Sequence, residues 1–133
     1  MQEVSAVFKL LLIAAGGSLG ALMRYGLAGA VQRLAGAGFP WGTFLVNVTG
    51  CLAIGFLWDQ FDRTAVTPEV RAFALIGVLG AYTTFSTFGL ETLQLLREGQ
   101  AAAALLNVAL SNAAGLAAVF VGVLASRLIS TAA

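Results

Sequence analysis

Histidine is absent from this chain of 133 residues, cysteine occurs once, proline twice, and charged residues make up only 10%. Without histidine there is no imidazole base, so a His-based catalytic triad and the usual zinc clusters are excluded. A single cysteine, Cys51, rules out a disulfide within the chain, and its apolar surroundings make it read as a small buried hydrophobe. Soluble domains carry roughly 25% charged residues, and this chain has too few to cover a soluble surface. Its seven Lys and Arg residues are scattered and the net charge is +1, which gives no basic field for nucleic acid. No G-x-x-x-x-G-K-[ST] run exists to cradle a nucleotide phosphate. No nucleophile, base and orienting group converge anywhere, so an enzyme is the class hardest to support.

What the chain does have is apolar length. It is 59% hydrophobic, with a mean hydropathy of +0.93. Four apolar segments stand out, at about 7–27, 41–57, 73–96 and 101–129, each near the ~20 residues a helix needs to cross a bilayer core. Short separators of turn or interface character divide them: Gly36 to Trp41, Trp58 to Glu69, and Arg97 to Gln100. Thr67 followed by Pro68 has the form of a helix start. The expected fold is therefore an all-α membrane protein, a single domain spanning residues 1–133 with four transmembrane helices. The apolar run from Leu10, followed by Ala28-Gly29-Ala30, has some features of a cleavable leader. Arg24 interrupts it and Glu3 weakens its positive start, so the first segment is expected to be a retained helix. With the N-terminus inside, Lys9, Arg63, Arg71 and Arg127 lie on the cytoplasmic side, while Arg33 and Arg97 lie outside. That bias is small by the positive-inside rule and admits insertion in both orientations.

In lipid a polar side chain must face protein or a wet cavity, so intramembrane polar positions are the functional candidates. Thr43, Asn47 and Gly50 share one face of the second helix. Asn47 suits either interhelical glue or an amide donor to a permeant species. Asn107, Ser111 and Gly115 form a stripe on the fourth helix, continued by Gly122 and Ser126, which suits tight packing or a narrow wet path. Gly16, Gly20 and Arg24 share a face of the first helix. Glu91, the only acid well inside a segment, is the obvious partner for Arg24. The third segment carries Gly80-Ala81-Tyr82-Thr83-Thr84-Phe85-Ser86-Thr87-Phe88, a cluster of mediocre helix formers. Two readings stand: a helix broken near mid-membrane, or an unbroken one whose hydroxyls bond their own backbone.

The residues Gly20-Ala21-Leu22-Met23-Arg24-Tyr25, the run Trp41-Gly42-Thr43-Phe44-Leu45-Val46-Asn47, and the T-T-F-S-T-F core with Glu91 closely resemble the Fluc (CrcB) family of small bacterial fluoride channels. The resemblance covers nearly the whole chain in the right order. It implies an antiparallel, dual-topology homodimer of four-helix subunits in the bacterial inner membrane, with a broken third helix. It implies a passive fluoride-selective pathway that lets cytoplasmic fluoride leave the cell and so confers resistance. The family's pore phenylalanines match Phe85 and Phe88, its asparagine Asn47 and its fourth-helix hydroxyl Ser111, and Thr43 is placed with the pathway. A structural sodium ion would be held by the backbone carbonyls of Gly80 and Thr83, while Arg24 and Glu91 match structural or vestibule positions. Along the fourth helix this chain has Asn107 and Gly115 where some relatives carry a tyrosine and a second serine. A proton-coupled drug exporter of the small multidrug-resistance type is the nearest rival. It requires a carboxylate deep in the first helix, and residues 10–23 contain none.

Overall fold

A computed structural model describes residues 2–132 of the chain. Its described residues fold as helices joined by short turns. Four spans are long and apolar enough to cross a membrane: Ala6–Ala35, Trp41–Thr64, Pro68–Arg97 and Ala101–Ser130. At 1.5 Å per residue each exceeds the ~30 Å hydrocarbon core. The protein is a multi-pass, all-α membrane protein. The helices run past the apolar segments at several ends, because Arg33, Asp59 and Arg127 are tolerated in helical turns at the membrane boundary.

Helix α1 (Gln2–Ala35) stops at Gly36, whose φ of +86° lies in the left-handed region that glycine adopts freely. Gln32 holds the following turn, donating to the carbonyls of Gly36 and Phe39 and accepting from the Gly42 amide at 3.1 Å. Helix α2 (Trp41–Thr64) ends on Ala65, a non-glycine residue in the left-handed region at φ 50°. The third span begins with a short α3 (Pro68–Arg71). Thr67 caps it, its hydroxyl accepting from the Val70 amide, and Pro68 occupies the first turn. A π-helical segment, Ala72–Leu79, and a single turn, α4 (Gly80–Tyr82), follow. Thr83 and Thr84 are both extended, with ψ of 158° and 115°, and α5 (Phe85–Arg97) then starts afresh. Gly99, at φ +74°, turns the chain into α6 (Ala101–Ala132).

Lipid supplies no hydrophobic push between helices, so close packing must hold the bundle together. Glycines let the backbones meet. A Cβ on Gly16 would lie 2.6 Å from the Phe73 carbonyl oxygen, and one on Gly20 2.1 Å from that of Val78, which seats α1 on the π-helical segment. Gly55 and Gly122 do the same between α2 and α6, each 2.2 Å from a backbone oxygen of the other helix when a Cβ is added. At one end of that pair Ser126, fully buried, donates to Asp59 at 2.7 Å, and Arg63 and Arg127 close on the same carboxylate. Val46, Leu79 and Tyr82 form the buried apolar centre where α2 meets the third span.

Candidate ion pathway

The face of α2 defined by Thr43, Asn47 and Gly50 meets the third span residue by residue. Thr43 Oγ1 donates to Glu91 Oε1 at 2.8 Å. Asn47 engages both backbone groups of Thr84, its Nδ2 donating to the carbonyl at 3.0 Å and its Oδ1 accepting from the amide at 2.8 Å. This fixes which end of the carboxamide is which, since an amide N–H only donates and a carbonyl only accepts. Gly50 leaves room for the Thr83 methyl group, which would come within 2.2 Å of an added Cβ.

Thr83 and Thr84 divide the remaining work. Thr83 Oγ1 bonds back to the Leu79 carbonyl, and Thr84 Oγ1 caps α5 by accepting from the Thr87 amide at 3.2 Å. Through these side chains the backbone is rerouted. The Thr84 amide goes to Asn47 rather than back to the Gly80 carbonyl, and the Thr87 amide goes to Thr84 Oγ1 rather than to the Thr83 carbonyl. Both carbonyls are thereby released from helical pairing.

Beside this segment lies a cavity of about 330 Å³ whose wall includes Asn47, Thr83, Thr84, Phe85, Phe88 and Ser111. Gly80 reaches the same space. The rings of Phe85 and Phe88 have centroids 5.4 Å apart and are tilted by 43°. Phe88 is buried at 8% exposure, whereas Phe85 stands 81% exposed on the outer side of the helix bundle. Ser111 donates to Asn107 Oδ1 from the α6 wall.

Not every candidate residue gathers there. Thr43 and Glu91 open instead onto a cavity of about 360 Å³ near Gln32, Gln94 and Glu98. Arg24 lines a third space, about 310 Å³, with Thr43, Thr84 and Thr87. Arg24 and Glu91 form no ion pair within the chain among the described residues. Thr43 stands on both of those cavities and takes one Glu91 oxygen; the other, Oε2, is buried without a hydrogen-bond partner. No group of three His, Cys, Asp or Glu side chains among the described residues is placed to hold a metal.

Four further side chains contribute that the sequence did not single out. Thr92 bonds the Phe88 carbonyl and receives Asn107; it stands one helical turn from Phe88, a spacing that marks it. Thr49 and the Tyr82 hydroxyl meet at 2.8 Å, and Gln32 secures the first turn. For Thr49, Tyr82 and Gln32, the sequence offers no local signal beyond a polar side chain in an apolar helix.

The profile of the family described as CrcB-like protein, Camphor Resistance (CrcB), matches residues 11–123. Among similar proteins is the Fluoride-specific ion channel FluC of Desulforapulum autotrophicum, 48% identical over 122 residues, which are 91% of this chain and 98% of that one. The FluC of Nitratidesulfovibrio vulgaris is 47% identical over the same shares of both chains. That of Nitrosococcus oceani is 44% identical, also over 91% of this chain and 98% of the relative.

Proposed function

The chain belongs to the CrcB family, and from that premise and the geometry of the site we propose that it is a fluoride-selective channel through which cytoplasmic fluoride leaves the cell passively. Its relatives are named as ion channels, which places the chain among conducting membrane proteins rather than enzymes. The observation that carries the reading is the single cavity joining the Asn47 amide and the Ser111 hydroxyl to the rings of Phe85 and Phe88.

Fluoride is small, strongly hydrated and a strong hydrogen-bond acceptor, so a selective path must replace its water with donors. Asn47 spends one amide hydrogen on Thr84 and keeps the second for the cavity. The electropositive edges of Phe85 and Phe88 meet an anion edge-on while their bulk excludes water. A dense cluster of lysines or arginines would hold the ion too tightly for conduction, and none lines this cavity. Phe85, so exposed on one subunit, is placed to be covered by a second copy inserted antiparallel, which the small charge bias of the sequence permits. The interruption at Thr83 and Thr84 would then lie at mid-membrane depth.

A structural sodium ion fits the donor set available. The Gly80 and Thr83 carbonyls, released by Asn47 and Thr84, are hard oxygen donors suited to a hard cation. Bound there, sodium would add buried positive charge near the anion path. What the chain itself contributes is the release and aim of these carbonyls.

Efflux of fluoride from liposomes containing the purified protein, read with a fluoride electrode, tests the function. Rapid fluoride release with chloride retained supports it. Equal release of both ions, or of neither, refutes it. A bacterium lacking its own fluoride exporter should regain growth in fluoride medium when the inner membrane carries this protein.

A further inference from the structure

On α6, Asn107 is almost wholly enclosed, at 1% exposure, and Ser111 stands one turn beyond it on the cavity wall. A carbonyl oxygen can only accept, so the bond of 2.8 Å from Thr92 Oγ1 to the Phe88 carbonyl commits the Thr92 hydrogen to that oxygen. The lone pairs left on Thr92 then receive Asn107 Nδ2 at 2.9 Å. With its nitrogen turned toward Thr92, the Asn107 carboxamide turns Oδ1 toward Ser111, 3.2 Å away, and claims that hydroxyl's one hydrogen. Each bond fixes the direction of the next, beginning from Phe88. In this arrangement Ser111 offers the cavity lone pairs rather than a donor.

We propose that Asn107 is a positioning residue that sets how readily Ser111 donates to an anion in the pathway. The inference rests on the fluoride-channel reading above. An arriving anion draws the Ser111 hydrogen to itself, because a hydrogen bond to a charge is stronger than a neutral one. The turn leaves Asn107 Oδ1 enclosed and without its partner, and that loss opposes the anion's hold. Ser111 therefore grips weakly, which favours departure of the ion toward the next site.

The test is fluoride flux into proteoliposomes measured across a range of fluoride concentrations. Asn107→Leu keeps the branched shape and removes the acceptor. The half-saturating fluoride concentration should fall about fivefold, the weight of one neutral hydrogen bond, and the maximal flux should fall with it. In a Ser111→Ala background the same substitution should shift nothing. Thr92→Val, which removes the acceptor that orients Asn107, should move half-saturation in the same direction by less, and it carries the test where Asn107→Leu does not assemble. An unchanged half-saturation in both variants, or an equal shift with and without the Ser111 hydroxyl, overturns the proposal. Absence of fluoride flux in the unsubstituted protein would instead overturn the channel reading itself, so the two failures are told apart.

Discussion

The carboxamide of Asn47 is bonded at both ends to the backbone of one residue, Thr84, at 3.0 Å and 2.8 Å. It stands in for the helical neighbours that Thr84 lacks. Replacing Asn47 with leucine leaves the buried Thr84 amide and carbonyl without partners, at a cost of about 1–3 kcal/mol in stability. Asn47→Asp keeps the acceptor for the amide but turns an anionic oxygen toward the Thr84 carbonyl and toward the anion path. Thermal unfolding in detergent should show both variants destabilised, and Asn47→Asp should conduct less fluoride than its remaining stability alone would allow.

Phe85 and Phe88 touch each other yet differ in burial, and their variants should separate function from folding. Phe88→Ile disturbs a packed ring, so stability and flux should fall together. Phe85→Ile removes a ring that packs little within the chain. Its melting temperature as a detergent-dispersed single chain should hold, while fluoride flux falls about tenfold, the effect of ~1.4 kcal/mol on a barrier. Equal loss of stability in the two would contradict the assignment of Phe85 to the pathway.

Glycines of the first helix divide by what they face. Gly20→Ala places a methyl group against the Val78 carbonyl and should destabilise the bundle by about 1–3 kcal/mol. Gly17 has nothing within 4 Å of an added Cβ. Gly17→Ala should be neutral or slightly stabilising, since alanine favours helix over glycine. Size-exclusion profiles after heating would rank the two.

Ala65 closes α2 in a left-handed conformation that alanine adopts at a cost of about 1–2 kcal/mol. Ala65→Gly relieves that strain, partly offset by the greater freedom of glycine in the unfolded chain. A net gain of about 0.5–1 kcal/mol is expected, with fluoride flux unchanged, because the turn lies far along α2 from Asn47. A lower melting temperature would show that this turn is not strained.

The four spans were legible in the sequence because crossing lipid imposes a length and a composition that few other folds share. The shared face of Thr43, Asn47 and Gly50 was legible from helical period alone. What each residue met was not. Pairing Arg24 with Glu91 follows from charge, but within the chain Glu91 accepts a hydrogen bond from the neutral Thr43, and depth along the bundle follows glycine contacts such as Gly20 on Val78. The hydroxyl cluster left two readings open because periodicity does not tell a back-bonded hydroxyl from a cap: Thr83 bonds the Leu79 carbonyl, whereas Thr84 accepts from the Thr87 amide. Thr92 carries one signal, its spacing of one turn from Phe88, but its bonds to the Phe88 carbonyl and to Asn107 leave no trace in hydrophobic pattern.

Fluoride selectivity is read most directly from a reversal potential. With the protein in a planar bilayer, fluoride concentrated on one side and chloride on the other, the current should reverse near the fluoride equilibrium potential. Reversal near zero, with chloride carrying its share, would contradict it.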